Sequence, residues 1–179
     1  MKNKINILLL SSFTYLFTSL INYNFSYQTT TISYAIFLLP IIFIILNYIN
    51  KNNSTKDSLI TIIYSLIILF LLTIIVNFTL GSTIDIIYLL KIIGILFIVE
   101  FINIILYVFF KNKTKMNYII LSIHYLVLFI LYDFIYILFY INTLTFSYFI
   151  KTYIIIILIQ FILSLITGLL DKLIVRRVK

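Results

Sequence analysis

The chain has no cysteine, no tryptophan, one proline, three glycines and one alanine among 179 residues. Without cysteine neither a disulfide nor thiol chemistry is available, and one histidine alone does not make a usual zinc site. The signatures HExxH and GxSxG and a glycine-rich phosphate loop are missing as well. No catalytic residue, metal ligand or cofactor is therefore assigned, no nucleic-acid partner is expected, and the expected role is non-enzymatic. Charge is scarce too. Charged residues make up 10% of the chain, against about a quarter in a soluble domain, too few to cover a surface that faces water. A soluble globular fold is excluded.

What the chain does have is apolar length. Residues of the set AVILMFWYC make up 64% of it and the mean hydropathy is +1.22. They fall in runs long enough to cross a hydrocarbon layer of ~30 Å at 1.5 Å per residue. The runs between polar breaks predict an all-α, polytopic membrane protein, residues 1–179 forming a single domain of six transmembrane helices over 5–21, 32–49, 59–80, 84–110, 118–141 and 148–175. A β-barrel is excluded because its strands alternate apolar and polar, whereas 66–76 (LIILFLLTIIV) is apolar on every side. Richness in isoleucine would favour strands in water, but in lipid a helix satisfies its own backbone hydrogen bonds. The abundance of Ile, Asn and Lys is that of an AT-rich genome.

Basic residues orient the spans. Lys2 and Lys4 precede the first, Lys51 and Lys56 follow the second, Lys111, Lys113 and Lys115 follow the fourth, and Lys172, Arg176, Arg177 and Lys179 end the sixth. The other three connections, 22–31, 81–83 and 142–147, carry no Lys or Arg. Both ends are thus expected in the cytoplasm of a bacterium, in its inner membrane. The opening MKNK with its apolar run reads as an uncleaved first span, since no small-x-small cleavage site follows. A basic rim controls topology and attracts anionic lipid headgroups, and it also suits an acidic cytoplasmic partner.

Four ionisable residues lie well within spans: Lys91 and Glu100 on the fourth, His124 and Asp133 on the fifth. A charge buried there needs a partner, a neutral form or a watery cavity. Lys91 and Asp133 both lie ~10–12 Å from the non-basic end at 1.5 Å per residue, so these two are expected to pair. The nine-residue steps from Lys91 to Glu100 and from His124 to Asp133 turn onto opposite helix faces. A straight helix pair therefore satisfies one couple, and Glu100 and His124 are left to other helices or to each other. Glu100 shares a face with Asn103. These groups read either as interhelical glue, or as a relay or substrate layer formed by Glu100, His124 and Gln160.

On the sixth span Tyr153, Gln160, Ser164, Thr167 and Asp171 form one narrow stripe, and Ser164 with Gly168 adds a small-x-x-x-small pair. This is a packing seam, against the protein's own bundle or a membrane partner. Ser11, Thr14 and Thr18 make a shorter one on the first span. Pro40 is expected in the middle of the second helix, bending it. Gly81 suits a tight reversal after the third. The Asn-x-Ser/Thr triplets, such as those at Asn24, Asn53, Asn77 and Asn112, are expected by chance.

Taken as a layout, the chain resembles the MreD family of bacterial rod-shape-determining membrane proteins. The likeness lies in the basic start MKNKINILLL, the third span ending in TLGST (79–83), the fourth running into FFKNKTK (109–115), and the last into LLDKLIVRRVK (169–179). Typical members have Pro-Asp at the start of the second span, where Thr31 and Ile32 stand here. The resemblance implies a non-enzymatic scaffold of the cell-wall elongation machinery. Its implied partners are MreC-like protein, MreB-like filaments and wall synthases, in a bilayer with anionic lipids. In size and span number the chain also resembles the substrate-binding subunits of energy-coupling-factor vitamin transporters, although the first span lacks their Ala-x-x-x-Ala. A lipid-handling or immunity-type membrane protein is a third class.

Overall fold

In the computed structural model, residues 2–21, 23–27, 30–81, 85–113, 118–140 and 146–177 are described, with side chains for 4–21, 23, 33–81, 85–110, 118–137 and 153–173. Six helices carry the chain: α1 (Lys2–Leu20), α2 (Leu39–Asn52), α3 (Thr55–Leu80), α4 (Ile86–Lys113), α5 (Tyr118–Tyr140) and α6 (Phe146–Arg177). The stretches Tyr34–Asn52, Thr55–Leu80, Ile86–Phe110, Tyr118–Ile137 and Tyr153–Leu173 are long and apolar enough to cross a membrane, and α1 contributes the shorter apolar helix Lys4–Leu20. The chain is thus built as a helical membrane protein.

The structure corrects the reading of residues 22–40. In place of a plain connection and a second span from residue 32, two short antiparallel strands, β1 (Asn24–Tyr27) and β2 (Thr30–Ser33), pair with Asn24 opposite Ser33. The β-branched run Thr30–Thr31–Ile32 suits a strand where water, not lipid, surrounds the backbone. A 3-10 turn (Tyr34–Phe37) follows, its start held by Ser33, whose Oγ accepts from the Ala35 N–H at 3.2 Å and donates to the Ile21 carbonyl at 2.9 Å. Pro40 then falls in the first turn of α2, where no intrahelical donor is needed, so it opens the helix and does not bend its middle.

Tight ends space the other helices. Ser54 caps α3 by accepting from the Asp57 N–H at 3.1 Å, while Asp57 places an acid in the first turn, where the helix dipole favours it. Gly81 closes α3 in the left-handed conformation (φ 65°), with its N–H turned back to the Asn77 and Phe78 carbonyls.

Helix α2 occupies the centre and packs on all five others, while α1 lies on α3, α3 on α4, α4 on α5 and α5 on α6. Leu39, Ile42, Phe43, Leu46 and Ile49 of α2 are fully buried, and the Phe43 ring lies 5.5 Å from that of Phe129 on α5. Outward faces stay apolar, as on α3 with Ile63, Ile67, Leu71 and Ile75 exposed, which costs nothing against lipid. The closest approach is α5 on α6. A Cβ added at Gly168 would lie 2.2 Å from Ser122 Oγ, 2.8 Å from Ser122 N and 2.9 Å from the Tyr118 carbonyl oxygen.

Candidate functional site

A cavity of about 500 Å3 opens at the end of the bundle where α1 and α3 finish and α4 begins. Its walls are three helix stripes at turn spacing: Tyr15, Thr18 and Ser19 on α1; Thr73, Val76, Asn77 and Leu80 on α3; and Tyr88, Leu89 and Ile92 on α4, with Tyr23 and Asp85 at the rim. Residues at i, i+3 and i+4 share one helix face, which is how short stripes from three helices enclose one space.

The threonine and serine hydroxyls of this cavity are arranged one way. Thr18 donates its hydroxyl to the Tyr15 carbonyl at 2.9 Å, Ser19 to Leu16 at 2.7 Å and Thr73 to Leu69 at 2.9 Å, while Asn77 Nδ2 donates to the Thr73 carbonyl at 2.8 Å. A hydroxyl that has given its single proton to its own helix keeps only acceptor capacity. Asp85 caps α4, its Oδ1 accepting from the Tyr88 N–H at 3.0 Å, and brings a negative charge to the rim. Among the described residues no lysine or arginine lines the cavity.

A second polar region runs through the interior. Nearest the basic end, Tyr125 OH on α5 donates to Asp171 Oδ2 on α6 at 2.7 Å, and Asn47 Nδ2 on α2 donates to Tyr125 OH at 2.7 Å and to Asp171 Oδ2 at 3.3 Å. All three are buried. Beside Tyr125, His124 Nε2 lies 2.7 Å from Asn103 Oδ1, so the ring nitrogen donates to the amide oxygen, and Phe110 and Tyr125 stand edge-on to the imidazole. One turn away Glu100 is 0% exposed, and neither carboxyl oxygen meets a hydrogen-bond partner. Towards the cavity end, Gln160 Nε2 of α6 donates to Asp133 Oδ2 of α5.

Asp133 receives its hydrogen bond from Gln160, a residue the sequence grouped with Glu100 and His124, because α6 packs along α5 and brings a donor that comparison of α4 with α5 alone omits. Lys91 is exposed on α4. His124 goes to Asn103 and not to Glu100. The α6 stripe of Gln160, Ser164, Thr167, Gly168 and Asp171 lies buried, as do Ser11 and Thr14 of α1. Asn47 and Tyr125 were not singled out in sequence, since one Asn or Tyr in an apolar run carries no signal. The rim pair Asp85 and Tyr88 has one, an Asp three residues before the first helical turn ends.

Comparison with known protein families, with curated proteins and with solved structures finds no match in any of the three. Function therefore rests on the site. Among the described residues no group of three or more His, Cys, Asp or Glu side chains comes together to hold a metal ion.

Proposed function

We propose that the protein is a multi-pass protein of a bacterial cytoplasmic membrane that acts by binding a small ligand from outside, without turnover. The cavity between α1, α3 and α4 carries this reading. Its volume of about 500 Å3 suits small-molecule sites, which run roughly 300–1,000 Å3, and its lining sets apolar Val76, Leu80, Leu89 and Ile92 beside polar side chains able to orient a ligand. Six spans with both ends in the cytoplasm fit the eleven basic residues on one side, and α1, at 19 residues, reaches ~28 Å. In that orientation the cavity opens outward. The polar seams of α1 and α6 are spent inside the bundle, which favours a ligand receptor over a lateral docking platform. Such a role resembles that of the substrate-binding subunits of energy-coupling-factor transporters.

Native mass spectrometry of protein extracted gently from its host membrane tests this. A bound small molecule that is lost in Ser19→Trp, which fills the cavity, is expected; identical spectra for both proteins would overturn the reading.

The second reading is a scaffold of cell-wall elongation, as the MreD-like layout implies. The basic end of the bundle favours it, since eleven Lys and Arg at one membrane face suit an acidic partner as well as anionic lipid. Depletion in a rod-shaped host would round the cells under this reading and leave their shape unchanged under the first.

A further inference from the structure

We infer that the cavity at the end of α1, α3 and α4 is a site for an organic ammonium ion, either a free amine or the ammonium headgroup of a lipid. The inference rests on the binding role proposed above and names its ligand class.

Three features agree on the sign of the ligand. Among the described residues Asp85 is the charged side chain in the lining, and it is an anion. The protons of Thr18, Ser19 and Thr73 are committed to helix carbonyls, so these hydroxyls offer lone pairs and no donors to a guest. Tyr15, Tyr23 and Tyr88 line the same space, and the negative quadrupole of an aromatic face attracts cations and especially alkylated ammonium groups. An anionic guest would meet the Asp85 carboxylate and three hydroxyls already spent as donors, with Asn77 and the tyrosine hydroxyls as the groups of a kind able to donate to it.

Size separates an organic cation from a metal ion. About 500 Å3 is far more than a lone ion fills, and Val76, Leu80, Leu89 and Ile92 give the space apolar walls suited to the carbon skeleton of an amine.

The absence of cysteine makes the test clean. Ser19→Cys places one thiol in the cavity of the full chain, purified in detergent so that both ends are reachable. It is treated with two methanethiosulfonates of similar size, one bearing trimethylammonium and one bearing sulfonate, each rate normalised to its reaction with a free thiol. A focused negative charge raises the rate of a cationic reagent by about tenfold or more, so a normalised ratio of about ten is expected. Asp85→Asn should bring the ratio close to one. Asparagine retains the helix cap, and an unchanged elution volume and helical circular dichroism would show that the fold is kept.

Tetramethylammonium or choline at millimolar concentration should slow labelling several-fold, while the neutral isostere 3,3-dimethylbutan-1-ol should not. Protection that appears only in vesicles containing phosphatidylethanolamine, and not in phosphatidylglycerol alone, would assign the ammonium to a lipid headgroup and support the same chemistry. Equal rates for the two reagents, or a ratio insensitive to Asp85→Asn, would refute the ligand class and leave the cavity as a binding site. Failure of both reagents to label would show a cavity closed to water, and the proposed binding role would fall with the ligand class.

Discussion

The three glycines test the packing because the structure gives each a different environment. At Gly168 an added Cβ would lie 2.8 Å from Ser122 N and 2.9 Å from the Tyr118 carbonyl oxygen, both backbone atoms of α5. A hydroxyl such as Ser122 Oγ can rotate away; a helix backbone cannot. Ordinary contact starts near 3.4 Å, so Gly168→Ala must part α5 from α6 by ~0.6 Å or distort one of them. Overpacking of this kind costs about 1–3 kcal/mol, and it opposes a gain of about 1 kcal/mol from replacing a mid-helix glycine. For a chain of this size each kcal/mol moves the melting temperature by roughly 2–4 °C. Gly94 has nothing within 4 Å of the added atom, so only the propensity gain operates there. In detergent, measured by intrinsic tyrosine fluorescence or circular dichroism, Gly168→Ala should melt lower than wild type by up to about 8 °C, and Gly94→Ala higher by about 2–4 °C. Gly81→Ala should also melt lower, because φ 65° is a conformation that strains an L residue by about 1 kcal/mol. Adding Ser122→Gly to Gly168→Ala should recover part of the loss and not all, since the backbone contacts remain. If Gly168→Ala and Gly94→Ala shifted the melting temperature by the same amount in the same direction, the close approach of α5 and α6 would be wrong.

Three further outcomes follow from the interior. Tyr125→Phe removes the hydroxyl that donates to Asp171 and accepts from Asn47, and should cost about 1–3 kcal/mol; in an Asp171→Leu background the same change should cost much less, and equal costs in both backgrounds would deny the hydrogen bond. Glu100→Met removes a buried carboxyl whose oxygens make no bond and should raise the melting temperature or leave it unchanged, as exchange of a buried ionisable group for an apolar one of similar volume does elsewhere; a large loss of folded protein would show that Glu100 has a partner. A periplasm-active reporter after Tyr27 and a cytoplasm-active reporter after Lys113 should both give signal, and silence from either would reject the proposed topology.

Much of the bundle is legible in the sequence because a bilayer accepts few backbone solutions. The apolar runs lie where the helices do, the α6 stripe shows as a period of three to four, and Gly81 marks the left-handed end of α3. The hairpin at 24–33 was less visible: its residues are polar enough to read as a loop, and the β-branched Thr30–Ile32 run is short. Pro40 was misplaced because an apolar run was equated with a helix, whereas Tyr34–Phe37 is apolar and forms a 3-10 turn.

Partner choice among the buried polar groups came only with the tertiary structure. Depth along a helix follows from residue number, so Lys91 and Asp133 could be levelled from sequence; which helix stands beside α5 could not, and it is α6 that supplies Gln160 to Asp133 and Asp171 to Tyr125. The cavity has the same origin. Tyr15, Thr73 and Tyr88 sit on three separate helices, each stripe too short to stand out, and they converge because α1 and α4 both pack on α3. Helix formation in lipid is decided by local hydrogen bonding and composition, which sequence carries, whereas helix order is decided by side-chain fit between distant segments, which appears only when they meet.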